Sequence, residues 1–185
     1  MNQEEFLKKL EIELKISKNS PYTVRNYINA NKELLDHFDK YPQDITSDDI
    51  KLFLSEKYSD KATSSIIMFL AAVKYAFTLN FDEDITRQIK RPKKEKILPS
   101  VLTKEETKIL LNSLSNQKSK LMISLIYACG FRVSELINLK VKDLDFDEKI
   151  GIIKRSKGKK DRFFNIPDFL CEDLINQMEK QEHKR

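Results

Sequence analysis

Glycine, tryptophan and cysteine are scarce in this sequence. The 185 residues include three glycines, two cysteines and no tryptophan, while 34% of the residues are charged. So little glycine beside so much charge is typical of a mostly helical, soluble protein. At this length we expect one large domain or two small ones, each with a hydrophobic core.

The sequence also lacks the usual signs of disulfides, metal sites and membrane segments. Cys129 and Cys171 lie far apart and form no C-x-x-C pair, which argues against a disulfide framework or a zinc site. His37, flanked by Asp36 and Phe38, reads as a surface or packing residue rather than as a metal ligand. The N-terminus has no secretory apolar segment, and no apolar run approaches transmembrane length. We therefore predict a cytoplasmic protein.

The charge balance is basic. A net charge of +5 and a pI near 9.0 fit a polyanionic partner such as nucleic acid but do not require one.

Four helices are predicted in the first eighty residues. Helical spacing of apolar residues marks the first at Gln3–Ile16, and Ser20 before Pro21 is a strong start signal for the second. Residues 46–49, TSDD, open a third helix, and the fourth runs from about Asp60 to Leu79. These elements predict a small helical domain over residues 1–81.

A basic linker is predicted at residues 82–100, followed by a second domain at residues 101–185. The linker combines prolines with a run of lysines in KRPKKEKILPS. After it, a capping box at Thr103 starts a helix, and two more helices follow at about 118–127 and 132–139. The pattern then changes to a β-hairpin formed by residues 150–153 and 162–166, and a last amphipathic helix begins at Asp168.

One arginine stands out in the stretch YACGFRVSELINLKVKDL, residues 127–144. Arg132 follows Gly130 and Phe131 at the start of a segment whose apolar residues should pack against a core. A guanidinium carries five donors and no acceptor, so it must be paired internally or directed at an external anion.

Three motifs resemble those of the tyrosine recombinases, the phage-integrase-like and Xer-type site-specific DNA recombinases. The family signature T-G-L-R-[VI]-S-E-L-x-x-L matches residues 129–139, with departures at Cys129 and Phe131. The family's lysine hairpin, G-K-G-x-K-x-R-x-x-P, resembles Ser156–Arg162 followed by Ile166 and Pro167, and S-x-x-T-x-x-x-Y matches Ser20–Tyr27. The resemblance covers nearly the whole chain.

The resemblance implies a fold and a chemistry. The fold is mainly α: an N-terminal SAM-like helical core-binding domain, then the first part of an α+β catalytic domain with a small hairpin. In the family, a tyrosine attacks a DNA phosphate to form a 3′-phosphotyrosine, without ATP, metal or cofactor. By resemblance Arg132 stabilises the phosphate, Glu135 supports that arginine, and Lys157 acts as general acid.

Further polar residues are candidate contacts with double-stranded DNA, although capping and plain solvation explain many of them equally well. The candidates are Thr23, Arg25, Asn26, Lys61, Thr63, Ser64, Ser65, Lys154, Arg155, Lys159, Lys160 and Arg162.

Several residues that the family needs do not occur where they are expected. The family places H-x-x-R and the nucleophilic tyrosine well beyond the lysine hairpin, whereas all six tyrosines here precede Arg132. We therefore nominate no nucleophile, and we expect a C-terminally truncated recombinase that is inactive alone. Its apolar faces at Leu121–Ile126 and Leu170–Met178 should be partly uncovered.

Three interpretations remain open. The chain is a recombinase-derived DNA-binding protein, which other recombinase subunits could complete in trans, a non-catalytic accessory module at recombination sites, or a helical protein–protein adaptor. All three use no small-molecule substrate, and the first two involve duplex DNA and recombinase subunits as partners.

Overall fold

The protein divides into two units, residues 1–98 and 99–185. The computed structural model describes residues 1–93, 98–154 and 160–182. The mainly helical fold predicted from the sequence is confirmed, with a small antiparallel sheet in the second unit. The assignment of residues 82–100 as a linker stays a prediction. At its start, Ile85 and Ile89 pack against the core of the first unit, and residues 94–97 lie outside the described part of the chain.

The described residues of the first unit form four α-helices, and side-chain caps begin three of them. The side chains of Asn2, Ser20 and Thr46 each accept a hydrogen bond from the backbone N–H three residues later. Pro21 then occupies the first turn of the second helix, where its missing N–H costs nothing. The helices are α1 (Gln3–Ile16), α2 (Pro21–Phe38), α3 (Ser47–Lys57) and α4 (Thr63–Phe81), with a 3-10 turn at Pro42–Asp44.

Helix α4 lies in the core of this unit. It is 19 residues long and, by length and composition alone, apolar enough to cross a membrane. This corrects the expectation that no apolar run approaches that length. Its residues Phe69, Leu70, Val73 and Phe77 are buried against α1 and α2. The packing is typical of the central helix of a soluble domain and does not indicate a membrane protein.

Helices α2 and α4 run antiparallel. The buried amide of Asn31 donates to the carbonyl oxygens of Tyr27 on α2, at 2.9 Å, and of Ala72 on α4, at 3.1 Å. One helical turn earlier on α2, the Tyr27 ring packs edge-on against Tyr75. Residue numbers therefore rise along α2 in the direction in which they fall along α4.

The second unit combines four helices with a three-stranded antiparallel sheet in the order β1-β2-β3. The short strand β1 was not predicted, because two residues give no alternating pattern. The elements are α5 (Lys104–Ser113), α6 (Gln117–Cys129), α7 (Val133–Ile137), β1 (Leu144–Asp145), β2 (Ile150–Ile153), β3 (Arg162–Asn165) and α8 (Asp168–Glu182), with a 3-10 turn at Val141–Asp143.

Helices α6 and α8 pack against each other in the core of this unit. Leu121 and Leu125 of α6 and Leu170 and Leu174 of α8 are buried in one cluster. The expectation that these faces are partly uncovered holds in part: the four leucines are buried, whereas Met122 and Met178 are half-buried and Ile175 is exposed.

Gly151 makes room for an aromatic ring in the sheet. Gly151 pairs with Phe164 across β2 and β3, and a Cβ atom at position 151 would lie 2.3 Å from Phe164 Cζ. The Phe164 ring packs edge-on against Phe131, with 4.6 Å between the ring centroids. The ring cannot retreat without disturbing Phe131, so position 151 requires glycine for space.

We expect Gly151→Ala to lower the free energy of unfolding by about 1–3 kcal/mol, the usual cost of overpacking a core. Urea titrations followed by circular dichroism measure the change. The control background is Phe164→Leu, which removes the Cζ and Cε1 atoms that the new methyl group would meet. The alanine should cost less in that background, and an equal cost in both would contradict the steric explanation.

Candidate functional site

A tight turn between α6 and α7 places Arg132. Gly130 ends α6 in the left-handed conformation, with φ +63°, and Phe131 is buried in the core of the second unit. Arg132 then caps the start of α7 with extended backbone. The glycine supplies the turn and the phenylalanine anchors it, so the arginine lies at the surface beside the core.

Both carboxylate oxygens of Glu135 accept hydrogen bonds from Arg132. Its Oε2 atom accepts the backbone N–H of Arg132 at 2.9 Å, and its Oε1 atom accepts Nη1 of the same residue at 2.6 Å. The Glu135 side chain is only 4% exposed, whereas that of Arg132 is 57% exposed. The first alternative open at the sequence level, internal pairing, is realised, and the Arg132 side chain is still exposed; an external anion stays a prediction.

Arg162 joins this pair from strand β3. Its Nη2 atom donates to Oε2 of Glu135 at 2.9 Å and to the carbonyl oxygen of Gly130 at 3.2 Å. Its guanidinium also lies over the Phe131 ring, 5.7 Å from the centroid. We call Arg132, Glu135 and Arg162 the arginine–glutamate cluster. Sequence reasoning nominated Arg162 as a DNA contact and missed its contacts with Glu135.

Lys154, at the other end of the hairpin loop, pairs with Asp143. Lys154 Nζ donates to the carboxylate of Asp143, which is buried in the 3-10 turn before β1. The hydrogen bond from Lys154 holds the pKa of Asp143 below its ordinary value. Sequence reasoning missed Asp143, because nothing in the local pattern connects it to the hairpin.

Three candidates of the hairpin, Arg155, Lys157 and Lys159, lie outside the described residues. Lys160 is exposed. The described flanks of the loop, Lys154 and Arg162, are each tied to a carboxylate in the second unit.

The candidates at the start of α2 are partly explained by local structure. The Thr23 N–H donates to the capping Ser20 hydroxyl at 3.1 Å, and the two hydroxyls lie 2.8 Å apart. Arg25 is exposed and lies over the Tyr22 ring, and Asn26 is half-buried.

The candidates near the start of α4 lie beside acidic residues. Lys61 and Ser65 line a pocket together with Glu33 and Asp36 of α2, and these carboxylates weaken the attraction of this surface for a phosphate. Burial and the Glu33 carboxylate raise the pKa of Tyr58, in the same pocket, to about 12. Lys61 and Ser64 are exposed, whereas Thr63 and Ser65 are half-buried.

The structure does not bring the candidates at the start of α2 close to those near the start of α4. Because α2 and α4 are antiparallel, Lys61 and Ser65 lie beside Asp36 and His37 at the end of α2. Asp36 and Arg25 are separated by roughly 17 Å along α2, at 1.5 Å per residue. The two sets therefore lie at opposite ends of the helix pair.

In the described part of the chain, no group of three or more His, Cys, Asp or Glu side chains could hold a metal ion. His37 contacts Glu56 at 3.0 Å and packs edge-on against Phe53.

Residues 100–185 match the model of the phage integrase family. The tyrosine recombinase XerA of Thermococcus kodakarensis is 29% identical over 96% of the chain. XerA of Pyrococcus horikoshii is 34% identical over 92% of the chain. The chain covers 62% and 58% of these two proteins, so it spans less than two thirds of their length.

The fold is also similar to that of a solved recombinase. A lambda integrase tetramer bound to a Holliday junction matches 89% of the chain with a TM-score of 0.75 and 19% identity. The chain covers 49% of that protein. At this identity the likeness concerns the fold alone.

The lowered pKa of Asp143 predicts a pH-dependent contribution to stability. The folded state favours the ionised carboxylate, so the stabilisation is present above the ordinary pKa of 3.8 and is lost as the pH falls through the lowered folded pKa. We expect Asp143→Asn to lower the melting temperature at neutral pH. The difference from the unsubstituted protein should shrink below about pH 4.

Melting curves from neutral to acidic pH test this expectation. The matched control is Asp168→Asn, because Asp168 forms a more exposed ion pair with Lys149 and should contribute little. A difference for Asp143→Asn that stayed constant down to strongly acidic pH would show that ionisation is not its source.

Proposed function

Because the chain belongs to the tyrosine recombinase family, we propose that it binds duplex DNA and that Arg132 contacts a backbone phosphate. A guanidinium offers two parallel donors to the non-bridging oxygens of a phosphate, which a lysine cannot do. The proposed role in the family reaction is stabilisation of the charge that develops on that phosphate.

The exposure of Arg132 beside a buried carboxylate is the observation that supports this proposal best. The Glu135 side chain, 4% exposed, holds the guanidinium at one edge, and the arginine side chain is still 57% exposed. An arginine with only a structural role would be expected to bury its guanidinium with the carboxylate. A fixed and accessible cation is instead suited to an anion that arrives from solvent.

Other parts of the proposal rest on sequence matches. Lys157 is proposed as the general acid and Arg155, Lys159 and Lys160 as phosphate contacts, from their places in the family's hairpin motif. In the first unit, the exposed Arg25 at the start of α2 is a stronger candidate than Lys61, which shares its pocket with carboxylates.

The proposed partners are double-stranded DNA and other recombinase subunits. Solved structures with this fold include a lambda integrase tetramer bound to a Holliday junction and a transposon integrase in complex with circular intermediate DNA. The helical packing of both units and the basic charge fit a cytoplasmic DNA-binding protein. Since all six tyrosines precede Arg132, we propose that the 185-residue polypeptide supplies binding and phosphate contacts but no nucleophile.

Salt dependence of duplex binding tests the DNA-binding proposal. Each neutralised phosphate contributes about 0.9 to the slope of log affinity against log salt. We expect Arg132→Gln to lower the magnitude of this slope by about 0.9 and to weaken binding to all sequences alike. Fluorescence anisotropy with a mixed-sequence duplex at several salt concentrations measures both quantities.

The control for this measurement is Lys149→Gln, which also removes one positive charge from the second unit. Lys149 pairs with Asp168 at the end of β2 away from Arg162, so its loss should leave the slope unchanged. Duplex binding by the unsubstituted protein that does not weaken with salt would favour the protein–protein adaptor instead.

A covalent-adduct assay tests the absence of a nucleophile. We expect no protein–DNA adduct on a denaturing gel after the 185-residue polypeptide is incubated with nicked duplexes of randomised sequence. A full-length tyrosine recombinase with its own site serves as the positive control. An adduct formed by the 185-residue polypeptide alone would show that one of its six tyrosines attacks DNA.

A further inference from the structure

We propose that Arg162 is a positioning residue for Arg132, which acts through the Glu135 carboxylate and does not contact DNA itself. This inference rests on the proposed role of Arg132 as a phosphate contact. It gives Arg162 a different role from that of Lys160, although both follow the same hairpin loop.

The two arginines divide the carboxylate between them. Oε1 of Glu135 accepts Nη1 of Arg132 at 2.6 Å, and Oε2 accepts Nη2 of Arg162 at 2.9 Å. Oε2 also accepts the backbone N–H of Arg132 at 2.9 Å. With Oε2 fixed from two sides, the carboxylate cannot rotate freely, and Oε1 stays directed at the Arg132 guanidinium.

Burial of the carboxylate explains why a second cation is needed. The Glu135 side chain is 4% exposed, and a buried carboxylate is costly unless cations and hydrogen bonds satisfy it. Arg162, at 35% exposure, lies further inside than Arg132, at 57%. Because Arg162 neutralises part of the negative charge of Glu135, the Arg132 side chain does not have to be buried to neutralise it alone.

Arg162 also contacts the other two residues of the turn that presents Arg132. Its Nη2 atom reaches the carbonyl oxygen of Gly130, and its guanidinium covers the Phe131 ring. The two hydrogen bonds of Arg162 use its Nη2 atom, and the contact with Phe131 uses one face of its guanidinium. They tie Arg162 to residues 130–135.

The register of the sheet connects this contact to the hairpin loop. Arg162 pairs with Ile153 at the end of the β2–β3 ladder. A displacement of this end of the hairpin would move Arg162 and, through Glu135, would shift Arg132.

A double-mutant cycle on the salt dependence of duplex binding tests the proposal. The variants are Arg132→Gln, Arg162→Gln and the two combined. We expect Arg162→Gln to reduce the magnitude of the slope by no more than the roughly 0.9 lost in Arg132→Gln. In the Arg132→Gln background, Arg162→Gln should cause no further reduction. A smaller folded fraction lowers the apparent affinity at every salt concentration alike, so a purely structural loss leaves the slope unchanged.

Additive effects would overturn the inference. A double variant whose slope falls by about 1.8 would mean that Arg162 contacts a phosphate of its own, and Arg132 would keep its proposed role. An unchanged slope in Arg162→Gln would also overturn it. An unchanged slope in Arg132→Gln would overturn both this inference and the proposed phosphate contact.

Glu135→Asp is the second variant, in case Arg162→Gln does not fold. It shortens the carboxylate by one methylene and leaves every charge in place, so that the cluster loses reach but not charge. We expect a lower slope, because Arg132 is no longer held outward. An unchanged slope would mean that the Glu135 carboxylate does not position Arg132, which would overturn the inference. Lys149→Gln is the charge-matched control for Arg162→Gln.

Discussion

One buried carboxylate organises the second unit around its candidate site. Glu135 receives hydrogen bonds from the backbone of α7 and from guanidinium groups on both sides. An ionised carboxylate away from water must be satisfied by such partners, and the partners here come from a helix start and from a strand. The hydrogen bonds that Glu135 accepts therefore connect the turn between α6 and α7, the start of α7 and strand β3. The exposed edge of Arg132 is a result of that arrangement.

Local sequence signals were sufficient to predict most elements of the fold. Helix starts followed from capping residues such as Ser20 and Thr103, and the end of α6 followed from Gly130. The hairpin followed from its apolar runs. Strand β1 could not be predicted, because a strand of two residues, Leu144 and Asp145, has no periodicity and forms only by pairing with β2.

The site was predictable in its residues but less so in its contacts. The arginine motif pointed to Arg132 and Glu135, which lie one helical turn apart. The contact between Glu135 and Arg162 crosses 27 positions, and that between Asp143 and Lys154 depends on how a 3-10 turn meets a strand. Side-chain pairing at such separations is set by tertiary packing. For the same reason, the sequence could not show that the polar starts of α2 and α4 lie at opposite ends of a helix pair.

The space beside Gly151 allows the sheet to contact the turn between α6 and α7. The Phe164 ring occupies the space above the glycine and touches Phe131, which also lies under the Arg162 guanidinium. A row of contacts thus leads from the middle of β2 to the arginine–glutamate cluster. Redesign of the sheet for greater thermal tolerance would have to leave this row intact, since one added carbon at position 151 would push the Phe164 ring towards Phe131.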